Sequence, residues 1–243
     1  MYQHELARSG KRLFFIRGTY IYTVIAIATL IAYLTRDLGP FRSVEGDLAW
    51  LWLSLAVAST GALIRVFTSG WAALGTSGRA KVAAEASELN TTGPYSLVRN
   101  PLYVGRIVNF TGLAMLSGSW VWGALVFLLG VIIYERISTY EEEFLRGKFG
   151  QAHAAWADSV PSLMPRFHGW VPPKYPFWWK RMIWREQNKL FLLATTVFLT
   201  WWARSGFEVD VLTGPWVMAY AALVVVRFAI GGLKMVGFFK ELS

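Results

Sequence analysis

The chain has no cysteine and only 3 histidines in 243 residues. Without thiols there is no disulfide framework, no thiolate nucleophile and no thiolate metal site. His4, His153 and His168 are scattered without ligand spacing, so each reads as a loop or surface residue and no metal is expected. Charge is also scarce: 16% of the residues carry one, and 15 acids face 24 lysines and arginines. A water-soluble fold has little use for so few charges in a chain that is 55% hydrophobic. Internal repeats and low-complexity tracts are absent.

What the chain does have is apolar runs. Gly18 to Thr35 lies between Arg17 and Arg36, and Leu48 to Ile64 between Asp47 and Arg65, each close to the length a bilayer requires. Ile107 to Tyr134 is too long for one span. Together with Pro101 to Val104 it makes room for two short helices hinged near Ser117-Gly118-Ser119, a hairpin whose small residues let the helices approach closely. Leu190 to Ala203 and Val211 to Val226 are shorter, and snorkelling of Lys189, Arg204 and Arg227 extends them. The expectation is an all-α, polytopic membrane bundle of about six transmembrane helices. The first run is no cleaved signal peptide, since Arg36 follows it directly without a small-residue cleavage site.

Basic residues orient the bundle. Arg8, Lys11, Arg12 and Arg17 precede the first span, whereas the first loop has only Arg36 and Arg42. The positive-inside rule then places both termini in the cytoplasm, with Arg79, Lys81, Arg99, the stretch from Arg136 to Lys189, and Lys234 and Lys240 on the same side. The net charge of +9 thus reads as a membrane signature, and nucleic-acid binding is not expected.

Two polar segments interrupt the apolar pattern, both on the expected cytoplasmic face. The first runs from Gly78 to Asn100 and ends Thr91-Thr92-Gly93-Pro94-Tyr95-Ser96-Leu97-Val98-Arg99-Asn100, followed by Pro101-Leu102-Tyr103-Val104-Gly105. Gly93-Pro94 makes a turn, and Asn100-Pro101 suits an N-cap followed by proline in the first helical turn. Such a helix start either anchors the chain through Arg99 or receives an anion beside it. In the second segment, Glu141-Glu142-Glu143 is expected to open a helix through Phe144, Leu145, Phe149 and Trp156 toward Val160-Pro161. The three carboxylates either complement a helix dipole or hold a cationic or hydroxyl-bearing ligand at the membrane surface.

Together the segments resemble the signature of the isoprenylcysteine carboxyl methyltransferase and phospholipid methyltransferase group of membrane enzymes. The resemblance rests on Gly93-Pro94-Tyr95, Val98-Arg99-Asn100-Pro101-Leu102-Tyr103-Val104-Gly105, the hairpin, Glu141-Glu142-Glu143-Phe144-Leu145, Phe149-Gly150 and Val160-Pro161. It covers roughly Glu88 to Arg166 and divides the chain into N-terminal helices (1–78), a motif-bearing core (79–168) and a C-terminal part (169–243). Asn100 stands where the commonest form of the motif has histidine, and an amide carries no titratable proton. The resemblance implies S-adenosylmethionine as methyl donor, bound in a cytoplasmic pocket formed by loops and a short helix. A lipid or lipid-like acceptor, of the isoprenylcysteine carboxylate or phospholipid amine type, would arrive through the membrane. Arg99 and Glu142 become the leading pair for catalysis, with Tyr95, Leu97, Asn100, Pro101, Tyr103, Gly105 and Glu141 shaping the donor site.

Pro172 to Arg185 mixes aromatic rings with cations and is expected among anionic headgroups, either as an anchor or as the wall of a lateral lipid entrance. Two other function classes stand beside methyl transfer. One is an NADPH-dependent membrane reductase of the steroid-reductase type, against which Leu102 and Arg106 stand where that related motif has asparagine and an acid. The other is a non-catalytic membrane protein that keeps the fold.

Overall fold

In a membrane each backbone N–H must find its acceptor within its own segment, so apolar runs fold as helices. The computed structural model describes residues 2–37, 43–76 and 86–239. Residues 78–85 of the first polar segment, Arg42 and Lys240, and the side chain of His4, lie outside the described residues. Seven α-helices form among the described residues: α1 (Tyr2–Ile16), α2 (Tyr20–Leu34), α3 (Val44–Trp71), α4 (Pro101–Met115), α5 (Trp120–Ser159), α6 (Trp179–Arg204) and α7 (Pro215–Met235). Their starts follow local chemistry. Ser43 accepts the Gly46 N–H at 3.1 Å and Ser119 that of Trp122 at 3.2 Å, while prolines begin α4 and α7, where an N–H would lack a helical partner anyway.

The architecture is all-helical, as expected, but the count of six spans is not reached. Three helices, α3, α5 and α7, are long and apolar enough to cross a membrane, and α1 with α2, bent by 70°, would make a fourth. With 15 residues, α4 is about 22 Å long at about 1.5 Å per residue, short of a hydrocarbon core of about 30 Å. The first half of α6 carries Lys180, Arg181, Arg185, Glu186 and Lys189 and is polar.

A second correction concerns Glu141-Glu142-Glu143. These residues do not open a helix but sit in the middle of the 40-residue α5. Nothing between Tyr134 and Glu141 interrupts it, since Glu135-Arg136-Ile137-Ser138-Thr139-Tyr140 contains neither proline nor glycine. The bend comes later, at Gly150, whose φ of 50° favours a residue without Cβ.

The hairpin is as expected, with α4 ending at Met115 and α5 starting at Trp120. α4 packs tightly on α3: the Asn109 amide donates to the Ala58 carbonyl at 2.8 Å, and a Cβ on Gly61 would stand 2.2 Å from the Asn109 nitrogen. The obstacle is backbone, so Gly61→Ala forces the helices apart; it is expected to cost about 1–3 kcal/mol, seen as a lower thermal midpoint of the purified protein. α1 lies along the polar half of α5, where Phe14 meets Tyr140 with ring centroids 5.5 Å apart. α7 has no buried residue and leans on α6 through Tyr220, stacked on Phe198 at 4.3 Å and hydrogen-bonded to Thr195 at 2.9 Å.

Candidate active site

The motif residues are brought together by two chain segments running side by side. Gly93, at φ 60°, donates to the Val171 carbonyl at 2.8 Å, Arg99 N–H to Pro161 at 2.8 Å, and Arg166 N–H to Leu97 at 3.0 Å. The Ser96 hydroxyl accepts the Val171 N–H at 3.0 Å, and the Trp156 indole donates to the Tyr95 carbonyl at 3.2 Å. Further out, the Lys174 ammonium and the Tyr175 hydroxyl each donate to Glu88 at 2.5 Å. These bonds hold the Glu88 carboxyl below its ordinary range and the Lys174 ammonium above its own.

Arg99 and Glu142 form one closed cluster. The guanidinium donates to both carboxylate oxygens, at 3.0 and 2.8 Å, and to the carbonyls of Ala157 and Val160 at 2.7 Å each. Glu142 also accepts from the Asn100 amide at 3.0 Å and the Ser162 hydroxyl at 2.8 Å. The fork of Arg99 therefore ties α5 to the end of its own helix, and its polar capacity is spent inside the protein. Asn100 occupies the N-cap position of α4, but its side chain does not cap the helix, contrary to expectation; it turns instead to Glu142 and Ser162. His153, expected at the surface, is buried in α5 with both ring nitrogens lacking hydrogen-bond partners and its ring against Trp156.

Above this cluster opens a cavity of about 590 Å3. Tyr95, Arg99, Asn100, Pro101, Tyr103 and Glu141 line it, whereas Leu97, Gly105 and Glu142 are not among the lining residues. Leu97 is tied down by its carbonyl bond to Arg166. Gly105 serves helix contact, because a Cβ there would stand 2.8 Å from the Gly61 carbonyl oxygen. Of the acidic run it is thus Glu141 that faces the cavity, within hydrogen-bonding reach of the Tyr103 hydroxyl.

A large part of the wall comes from residues that the sequence does not assign to the site. α6 contributes Trp184, Arg185, Glu186, Gln187, Asn188 and Lys189, α3 contributes Arg65 and Ser69, and Arg17 and Arg106 also line it. Arg65 and Glu186 form a bidentate pair at 3.0 Å for both contacts, with side chains 7% and 3% exposed. Ser69 donates to the same carboxylate at 2.8 Å, and Arg65 also holds the Leu102 carbonyl at 3.0 Å. The signal was available, since a charge set in an apolar run needs a partner; Arg65 was used only to mark the end of a run. Arg181, fully buried, donates to the carbonyls of Ala72, Ala73 and Thr76 and caps the end of α3.

The fold and this site define a class: a helical membrane protein with a mainly cationic polar pocket at one end of a helical hairpin. Residues 50–152 match the model of the phospholipid methyltransferase family, which bears out the resemblance carried by the motifs. The chain is 32% identical over 151 residues to the nickel-cobalt-cadmium resistance protein NccN of Alcaligenes xylosoxydans xylosoxydans, covering 60% of this chain and 63% of that protein. It is 33% identical over 118 residues to the cobalt-zinc-cadmium resistance protein CzcN of Cupriavidus metallidurans, covering 47% and 52% respectively. The chain thus spans less than two thirds of the length of these relatives. No solved structure matches it.

Proposed function

We propose that the protein is an S-adenosylmethionine-dependent methyltransferase that binds its donor in the 590 Å3 cavity and acts on a lipid or lipid-like acceptor at the cytoplasmic membrane face. The observation that carries this reading is the convergence of the motif at 93–105, Glu141 and the α6 segment 184–189 on one cavity. Its volume falls in the range of roughly 300–1,000 Å3 usual for small-molecule sites.

The donor set fits an amino-acid sulfonium nucleoside. Lys189 and Arg185 supply cations for a carboxylate, and Glu141 supplies an anion for an ammonium or sulfonium. Gln187 lines the cavity with a buried side-chain oxygen that has no hydrogen-bond partner, an acceptor suited to an amino or ribose hydroxyl group. The faces of Tyr95, Trp156 and Trp184 suit a purine and a cationic centre.

When bound, the donor supplies a methyl group on a sulfonium, ready for direct displacement. The protein's part is alignment and exclusion of water. Arg99 and Glu142 act as positioning residues, locking Asn100 and the start of α4 against Ser162. Glu141 and Tyr103 face the reacting space; Glu141 is placed to take the proton of an amine acceptor, whereas a carboxylate acceptor has none to lose.

Calorimetry on the detergent-purified protein tests this, with S-adenosylmethionine and NADPH as ligands. Saturable binding of the methyl donor is expected, weakened about tenfold or more in Glu141→Gln. Binding of NADPH alone would establish the reductase instead, and binding of neither would leave a non-catalytic protein.

The relatives' names add a phenotype. A shared role in metal tolerance is proposed to run through methylation of a membrane component.

A further inference from the structure

The loop between the end of α5 and Pro172 turns its polar groups inward and its apolar ones outward. The Arg166 guanidinium donates to the carbonyls of Ser96 at 3.1 Å and Ser159 at 2.5 Å, and its N–H to that of Leu97 at 3.0 Å. Val171 is tied through its N–H to the Ser96 hydroxyl and through its carbonyl to Gly93. Met164 and Phe167, by contrast, are 80% and 98% exposed, with Trp170 and Val171 also exposed. No large apolar side chain among the described residues is more exposed than Phe167. This is the reverse of what water selects in a loop.

Both ends of the loop are held at the level of the helices long enough to cross a membrane. Leu163 packs on the cluster of Phe14, Tyr103, Ile107, Tyr134 and Ile137, where the apolar part of α5 ends. Trp170 meets Trp71 edge-on with ring centroids 6.4 Å apart, and Trp71 is the last residue of α3. Trp71 in turn stacks on Phe67 at 5.3 Å. With Leu63 these residues, four apart, form one stripe down α3. Leu63 and Phe67 are exposed on a helix fit to span the bilayer, so the stripe faces lipid, and Trp170 continues it.

We propose that residues 164–171 are inserted in the membrane surface, with Met164 and Phe167 below the headgroups beside the lipid-facing stripe of α3. The occupant of this apolar face is the bilayer itself, because the face is continuous with one that already lies in lipid. Insertion has a structural use. Ser162, at the start of the loop, bonds Glu142 and Asn100, and Arg166 holds the Leu97 carbonyl, so a loop anchored in lipid braces the turn that carries Arg99. The insertion stands independently of the methyltransferase reading.

The chain has no cysteine, so one introduced thiol takes one spin label. Phe167→Cys, Met164→Cys, Leu128→Cys and Gly147→Cys are each labelled, and the full chain is reconstituted in vesicles of phosphatidylcholine and phosphatidylglycerol. Electron paramagnetic resonance then compares relaxation by oxygen, which concentrates in lipid, with relaxation by a water-soluble nickel chelate. Leu128, exposed on the apolar part of α5, marks hydrocarbon; Gly147, exposed about 20 Å beyond Tyr134 along the same helix, marks water. The labels at positions 167 and 164 are expected about 5–10 Å below the headgroup boundary, with the oxygen-to-nickel ratio about tenfold or more above that at position 147. A ratio at position 167 equal to that at position 147 overturns the proposal. Loss of access to both reagents overturns it as well, because a protein partner or a second copy would then cover the loop. Phe167 is almost fully exposed, so its replacement leaves the fold intact.

Discussion

Glu186→Ala is expected to lower stability by about 3–5 kcal/mol, among the largest effects of any single substitution in the molecule. The carboxylate accepts both arms of Arg65 and the Ser69 hydroxyl, with the two charged side chains only 7% and 3% exposed. Removing it leaves a buried guanidinium with only the Leu102 carbonyl for company. The cost of isolating a charge far exceeds the net worth of the pair, so the double variant Arg65→Met/Glu186→Leu should recover most of the loss. Thermal midpoints in detergent read the difference, at roughly 2–4 °C per kcal/mol for a chain of this size. A single variant within about 1 kcal/mol of the native protein would show that water reaches the pair.

The second large effect concerns Arg99. Arg99→Lys keeps the charge but cannot bridge both oxygens of Glu142 and the carbonyls of Ala157 and Val160 at once. Methyl-donor binding is expected to fall about tenfold in Arg99→Lys and about a hundredfold in Arg99→Ala, with a lower thermal midpoint in both. Glu142→Gln should behave alike, and the double variant should be no worse than the worse single one, because both remove the same cluster. Glu141→Gln separates the roles: donor binding weakens while the midpoint stays within about 1 kcal/mol of native, as suits a group that faces a cavity. Donor binding unchanged in Arg99→Ala would remove the positioning role.

The helical class, the hairpin and the motif cluster were legible because each is written in local sequence. Ser117-Gly118-Ser119 breaks an apolar run, Pro101 starts a helix, and Gly93-Pro94-Tyr95 makes a turn wherever the rest of the chain lies. The number of spans was less legible, since an apolar run states that a segment is buried but not in what: α4 buries its short run largely against other helices, whereas α2 leaves Leu30 and Leu34 exposed. Glu142 is paired with Arg99 and Glu141 assigned to the donor site in the sequence, but their roles depend on which side of α5 meets the loop at 160–162, a long-range fact that adjacent residues do not reveal. The wall from α6 was hidden for the same reason. Glu186 looks like one more charge in a basic, aromatic stretch until Arg65, 121 positions earlier, is found beside it.

The length of α5 has a consequence of its own. From Trp120 to the bend at Gly150 the helix is a rod of about 45 Å, about one and a half times the depth of a hydrocarbon core, and its apolar part ends at Tyr134. Glu141, seven residues on, is carried about 10 Å beyond that boundary by an unbroken helix, so the rod acts as a ruler anchored in the lipid. Glu141, and the cavity it faces, is thereby set at headgroup height. A thicker bilayer would pull the carboxylate down toward hydrocarbon and a thinner one would lift it clear, which makes membrane thickness a setting of the cavity as well as its surroundings.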